Sequence, residues 1–429
     1  MRLSRRGLLR AGLAGTAATA LGGLASGCAV PTGSTGRNMV LWYWSGGLSD
    51  TVVKKAKARY DDSTVRLEAI QIGGYYRSKL ITTMTGQAHI PDIAGLKGED
   101  MASYLPNADQ FIDLRTLGAE KLKSQYLDWK WQQAVAPDGS LIGFPIDVGP
   151  VVQYYQPAVY EKAGLASEPD DVSSEMNTWD KFFAAGEQLR KRIPGTYILT
   201  DVGSVFEMSI GQGTTRFVDR DKHFIGDGQH VRDCWDRAVE AKRRGIVSDL
   251  VTGTPDSISA TEKGRLPSQL NASWAAGDLK LQYPKTKGRW RVANCPGGPS
   301  NVGGSFLAIT KACREPEKAF EIITWLLDAD NQAQGFVDAG LFPSTPASYD
   351  MKKLREPDAF FGDQITMDVY GPAAEKIPVA FNSPFDMALG QPIRDEIKNV
   401  GVLGKDPKKA WRDAMSKCRR IADHLGVSH

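Results

Sequence analysis

Val40-Leu41-Trp42-Tyr43-Trp44-Ser45-Gly46-Gly47 opens the body of this chain, and its reading decides the fold class. Five apolar residues in a row make a short buried strand, which stops at a Ser-Gly-Gly loop. Directly behind the loop, Asp50 to Tyr60 carries Val52, Val53, Ala56 and Tyr60 at the spacing of one helix face. Val65 to Ile72 then alternates like a second strand, Tyr76 to Met84 is helical, and Pro91-Asp92-Ile93-Ala94-Gly95-Leu96 reads as a third strand. Strand, helix, strand in alternation is the signature of an α/β fold.

Working outward, Val151 to Tyr155 is a fourth apolar run. Helices are predicted at Trp179 to Arg192, Val231 to Arg244, Pro316 to Leu327 and Pro407 to Leu425, with a shorter one from Asp330 to Ala339. The Gly- and Pro-dense stretch Cys295 to Gly304 lies between Arg291–Ala293 and Ser305–Thr310, two runs predicted to pair as a hairpin. No internal repeat is visible. A chain of 429 residues exceeds one comfortable core, so two lobes are expected.

The first residues carry an address. Arg2, Arg5, Arg6 and Arg10 precede the uncharged stretch Ala11 to Gly27, which is too short and too rich in small residues to hold as a membrane span. Ser4-Arg5-Arg6-Gly7-Leu8-Leu9-Arg10 looks like a twin-arginine export signal. Leu24-Ala25-Ser26-Gly27-Cys28 resembles a lipobox, with its leucine one place early, in which Cys28 takes the lipid. Residues 1–27 are thus read as the export signal and 28–37 as anchor and tether. That places the protein on the outer face of a bacterial cytoplasmic membrane. Loss of residues 1–27 removes four arginines and no acid, so the net charge falls from +3 to −1. No basic stripe with interleaved aromatics remains, which argues against nucleic acid as a partner.

Of five cysteines, Cys234, Cys295, Cys313 and Cys418 would share an oxidising compartment. On the predicted hairpin, Cys295 and Cys313 would stand about 30 Å apart, beyond disulfide reach. Three full pairings of the four are possible; Cys234 and Cys418 both fall on predicted helices and are the one pair entertained. There is no CxxC, and the five histidines are scattered, so neither a metal nor another cofactor is expected.

The order of segments resembles the family 1 extracellular solute-binding proteins, the carbohydrate-binding lipoproteins of ABC importers. Five stretches carry the likeness: Val40 to Gly47; Gly86-Gln87-Ala88-His89-Ile90-Pro91-Asp92-Ile93; Ile142-Gly143-Phe144-Pro145-Ile146-Asp147 with Val151 to Tyr155 and Tyr160 to Leu165; Asn271-Ala272-Ser273-Trp274-Ala275; and Gly303 to Thr310 with Pro316 to Phe320 and Leu341 to Thr345. It departs from the family at Tyr155-Gln156, where Tyr-Asn is usual, and at Arg216 to His230, which has no placed counterpart.

The resemblance implies two α/β lobes joined by crossing strands, as in periplasmic binding proteins. Lobe one would hold residues 38–150 and 293–344, and lobe two 151–292 and 345–429. The chain would cross near Val148–Tyr154, Trp290–Pro296 and Phe342–Tyr349, with a carbohydrate in the cleft between lobes. It further implies a monomer that works with importer permease subunits and their cytoplasmic ATPase.

Sugars offer apolar C–H faces and polar hydroxyls, so their sites combine aromatic platforms with carboxylates and amides. Trp44 and Ser45 end the first strand beside glycines, while Trp42, on the same strand face as Trp44 and opposite to Tyr43, is expected in the core, as is Trp325. By family likeness, Trp274 stacks on the sugar and one of Glu99 or Asp100 accepts from a hydroxyl. Asp147 sits at the first crossing, Tyr76 opens a helix at a glycine turn, and Gly304 and Ser305 offer bare backbone. Phe206 and Glu207, in a predicted loop, could supply a stacking face and an acceptor. Phe385, Asp386 and Gln391 are expected in a Pro/Asn/Gly-rich loop before the last helices, where the family often has lobe-two contacts.

Two other functions share these residues. Glu99 and Asp100 could suggest a secreted glycosidase, although neighbours on one loop seldom form a separated acid–base pair. The pairs Tyr75-Tyr76 and Tyr154-Tyr155 could suggest a ferric-iron binder of the same fold, although they lie about 80 residues apart.

Overall fold

The computed structural model describes residues 38–61 and 65–429. The readings of Arg5, Arg6 and Cys28 lie outside the described residues. Among those described, no helix is long and apolar enough to cross a membrane.

Among the described residues, ten strands form three sheets. In chain order they are β1 (Asn38–Trp44), β2 (Arg66–Ile72), β3 (Ile93–Lys97), β4 (Phe144–Pro145), β5 (Asp147–Val148), β6 (Val151–Tyr155), β7 (Ser268–Ala272), β8 (Arg291–Asn294), β9 (Ser305–Ile309) and β10 (Phe342–Pro343). The first sheet runs β2-β1-β3-β9-β4, with β1 parallel to β2 and β3, and β9 antiparallel to β3 and β4. Met39 to Tyr43 are all buried, as expected of a parallel strand covered on both faces. The helix Asp50–Arg59 returns along this sheet and is capped by Ser49, whose Oγ accepts from the Val52 N–H at 3.1 Å.

The second sheet, β7-β6-β8, is antiparallel throughout. Its central strand is buried on both faces. Val151 and Tyr155 join a core with Phe182, Phe206, Trp235 and Leu389, while Val152 and Tyr154 face Trp290, Phe342, Phe361 and Tyr370. Between the sheets, β5 and β10 pair antiparallel, Asp147 opposite Pro343 and Val148 opposite Phe342. Pro150 bridges Asn301 beside them.

This pairing corrects the predicted hairpin. Arg291 to Asn294 pairs with Tyr155 to Val152, whereas Ser305 to Ile309 pairs with β3 and β4. The Gly/Pro stretch between them is the second crossing, so the chain leaves the second sheet after Asn294. Trp290 lies deep in that lobe's core, its Nε1 donating to Thr286 Oγ1 at 2.8 Å. Two short apolar runs flanking a turn look alike whether they pair with each other or with distant strands.

All four described cysteines are free and buried. Cys313 sits by Met39 of the first sheet, whereas Cys295 sits by Gln212 of the second lobe. Cys234 and Cys418 share one core without bridging, and Cys418 Sγ donates to Leu389 O at 3.1 Å. Trp325 is not a core residue: it is half-buried, edge-on to Tyr60 at 6.1 Å with Arg59 over its ring.

Candidate functional site

Strand direction brings the loops together. β1 and β3 end at the edge of the first sheet where β9 begins, because Lys97 stands opposite Ser305. β4 runs out at the same edge toward Asp147. Trp44 to Gly47, Lys97 to Glu99, Gly303 to Ser305 and Ile146–Asp147 therefore converge. In the second sheet Val151 stands opposite Ala272 and Val152 opposite Asn294, so Gly149–Pro150, Ser273–Trp274 and Cys295–Pro296 emerge at one edge. The crossing segments tie these two edges together and leave a seam between them.

Two half-buried tryptophans frame the seam. The Trp44 ring lies over two glycines: a Cβ at Gly47 or Gly95 would come within 2.7 or 2.9 Å of it. Lys97 Nζ stands 5.3 Å from its ring, and Tyr76 meets it edge-on at 5.4 Å. Trp274 donates from Nε1 to Val302 O at 3.0 Å, so a lobe-two side chain is bound to the crossing backbone. Gly149 and Gly303 make room for that indole; added Cβ atoms would lie 3.1 and 3.3 Å from Nε1. Gly303 and Gly304 both hold positive φ, and a Cβ on Gly98 would strike Gly304 O.

Ser45 and Glu99 are exposed at this edge, and Ser305 and Gly304 lie just inside it. The other sequence candidates have different partners. Tyr76 is buried, its hydroxyl donating to Gly95 O at 2.6 Å and Trp42 O at 3.1 Å, so it braces the Trp44 seat from beneath. Asp100 is buried against Arg77 at 2.6 Å. Phe206 belongs to the helix Val202–Gly211, not a loop, and is fully buried in the second core. Asp386 accepts from the N–H groups of Phe217, Val218 and Ser383 at 2.7 to 3.1 Å and so staples two loops. Phe385 is half-buried on the same core with Lys222 Nζ 5.0 Å from its ring, and Glu207 pairs with Arg394 at 2.6 Å. Asp386 and Gln391 lie in the helix Asp386–Leu403, with Phe385 at its N-cap, rather than in a loop before the last helices, and Gln391 is exposed and donates to Asp395.

Asp147 is buried, and sequence reasoning missed its neighbour Lys130. Lys130, on the helix Asp128–Gln132, is fully inaccessible, with Nζ 3.7 Å from the Phe306 ring centre and 3.3 Å from Gln133 Oε1. Burial drives the Lys130 amine below the ordinary lysine range and the Asp147 carboxyl above the ordinary carboxylate range, each opposed by the other's charge. Asp147 Oδ1 has no hydrogen-bond partner. The one local signal was the pair of tryptophans flanking the lysine, Trp129 and Trp131.

Beside β7, whose end leads to Trp274, a cavity of about 330 Å³ is lined by Thr200, Asp201, Ser204, Glu207, Gln269 and Asn271. Its hydroxyl, amide and carboxylate groups suit a ligand that both donates and accepts. The tyrosine pairs do not gather into a metal site. Tyr75 is exposed, Tyr76 is occupied as above, and the Tyr154 and Tyr155 hydroxyls donate to Ala272 O and Ser167 O.

A family model described as bacterial extracellular solute-binding protein matches residues 51–362. This chain belongs to that family. The solute-binding protein is similar to an arabinooligosaccharide-binding protein of Halalkalibacterium halodurans, 20% identical over 394 residues that cover 87% of this chain and 82% of that one. Among solved structures it resembles an extracellular solute-binding protein of family 1, with TM-score 0.82 and 24% identity over 90% of this chain and 100% of that one. It also resembles the sugar-binding protein MalE of Xanthomonas citri, with TM-score 0.75 and 19% identity over 91% and 97% of the two chains. A third is the galacto-N-biose/lacto-N-biose I-binding protein of Bifidobacterium longum, solved with lacto-N-biose, with TM-score 0.72 and 21% identity over 92% and 99%. The two-lobe α/β fold expected from the sequence is the fold these likenesses show.

Proposed function

We propose that this solute-binding protein is a lipid-anchored receptor that closes its lobes on a carbohydrate and delivers it to an ABC importer. The observation that carries the reading is the pair Trp44 and Trp274, one from each sheet edge, each seated on glycines at the seam. Such rings offer flat apolar platforms for the C–H faces of a sugar. Ser45, Lys97 and Glu99 on one side, with Gln269 and Asn271 on the other, supply polar groups for its hydroxyls. The bare backbone at Gly304 and Ser305 adds peptide groups. The relatives' names, which speak of arabinooligosaccharides and lacto-N-biose, support a sugar over another solute.

A binder is favoured over a glycosidase because Asp100 is engaged by Arg77, which leaves Glu99 without a free partner carboxylate on that loop. In this reading Cys28 holds the protein, as a monomer, on the outer face of the membrane beside permease subunits driven by a cytoplasmic ATPase. Cys28→Ser should then release it from the membrane fraction with its melting temperature unchanged.

Calorimetric titration with arabinooligosaccharides, lacto-N-biose and maltose tests the site. Trp274→Ala should weaken binding of the recognised sugar roughly 30-fold, through lost stacking and buried area, with little change in the unliganded melting temperature. Failure of every sugar to bind, or full affinity in that variant, overturns the reading.

A further inference from the structure

A second cavity is larger than the one beside β7. A space of about 470 Å³ opens between the helix Ala275–Gln282, the end of the helix Ala329–Ala339 and the segment 353–370. Its walls come from both lobes. The helix Ala329–Ala339 packs with the helices Asp50–Arg59 and Pro316–Leu326 of the first lobe, and through Ala333 and Phe336 it also joins the core under β6 that holds the helix Ala275–Gln282 and residues 360–370. The volume falls within the range of about 300–1,000 Å³ usual for small-molecule sites.

Its charged lining residues are Lys280, Lys353, Asp338, Asp358 and the exposed Glu356. Lys280 pairs with Asp358 at 2.7 Å, Lys353 donates to Asp330 O at 2.7 Å, and Asp338 accepts from Ser49 and Gln334. An anion entering here would find both lysines already engaged. What remains open is hydrogen-bonding capacity. Ser273 lines the cavity, is fully buried, and its Oγ has no partner. An unpaired buried hydroxyl is costly unless something arrives to pair it. Opposite, the last carbonyls of the helix Ala329–Ala339 lack partners inside their own helix, and Gly340, its left-handed cap, lies against the Trp274 backbone. Phe336, Leu354, Pro357 and Phe361 make the apolar walls.

We infer that this seam cavity is a second binding site, for a small neutral polyhydroxylated molecule of the size of one sugar ring. The Ser273 hydroxyl and the lysine amines at the rim donate, the helix-end carbonyls accept, and the aromatic and aliphatic walls cover the C–H faces. The inference stands apart from the Trp44–Trp274 reading, since none of its contacts uses either indole ring.

Amide NMR of the purified protein titrated with arabinose, and separately with glycerol, tests it. The Gly277 and Gly340 resonances should shift saturably with arabinose. Gly277→Trp, at a position where an added Cβ meets nothing within 4 Å, should fill the space and abolish those shifts. Ser273→Ala should weaken them about tenfold without loss of melting temperature, which keeps the test sound if the tryptophan variant misfolds. Shifts of Ser45 and Gly46, reporting the Trp44 edge, should be the same in both variants. No saturable shift at Gly277 and Gly340, or shifts that persist in both variants, overturns the seam site. Shifts at Gly277 and Gly340 with none at Ser45 and Gly46 would support the seam site and count against the Trp44–Trp274 cleft.

Discussion

Two buried carboxylates, each with lysine nearby, sit in the two lobes and behave oppositely. In the second lobe Glu396, its side chain 2% exposed, accepts from Lys405 Nζ at 2.5 Å, Lys417 Nζ at 2.7 Å and Asn399 at 3.3 Å. Burial alone would push its carboxyl up, but these bonds hold it down at about 2. At the first-lobe end of the crossing, Asp147 and Lys130 are both buried yet form no ion pair, and burial wins on each. The difference teaches that contact, not proximity, decides the charge of a buried acid. The Glu396 lysines keep part of their surface in water while their amines touch the carboxylate, whereas Lys130 is sealed against Phe306. One cluster is a clamp between the helices Asp386–Leu403 and Pro407–Leu425; the other is an unbonded pair beside Gly304.

Glu396→Ala should have the largest effect, a loss of about 3 kcal/mol in denaturant unfolding, because it strands two amines around a buried gap. A loss below 1 kcal/mol would make the clamp a surface ornament and erase the contrast. Next in size is pH dependence. A carboxyl depressed in the folded state contributes stability above its unfolded pKa near 4.5, and that stability is lost as pH falls toward 2. Glu396→Gln should therefore flatten the acid limb of the melting temperature below about pH 4.5. Asp147 has the opposite sign. Its raised folded pKa makes stability fall as pH climbs from the unfolded value of 3.8 through the folded one, so Asp147→Asn should remove a decline in that window. Parallel pH profiles for the two variants would break the comparison. The smallest effect is expected from Lys130→Met, within about 1 kcal/mol of the parent, because methionine fills the site over Phe306 and Asp147 can stay neutral. A much larger loss would mean that Lys130 and Asp147 attract as ions after all.

Other errors of reading have the same origin. Phe206 and Glu207, expected in a loop, lie in the helix Val202–Gly211, whose Gly203, Ser204, Ser209 and Gly211 are poor helix formers. Asp201, whose side chain caps the Ser204 N–H at 2.9 Å, was the overlooked signal. Trp44 and Trp274 were legible as edge residues because each follows a strand and neighbours small residues, and the structure leaves both half-buried at the seam. Lys130 was illegible, since nothing local tells a lysine that it will be enclosed.

By itself the sequence determined the α/β alternation, the positions of β1, β2, β3 and β6, most long helices, and the aromatic residues at the strand ends. Those depend on periods of two and 3.6 residues and on turn chemistry, all of which act within a few positions. Only the tertiary structure decided that β8 joins β6 while β9 joins β3 and β4, and that Tyr76, Asp100 and Asp386 brace the fold. A carboxylate that will meet a sugar and one that will staple a loop are the same residue. They differ in whether an N–H or guanidinium arrives from elsewhere, as those of Phe217 and Val218 reach Asp386 across 169 and 168 positions of chain.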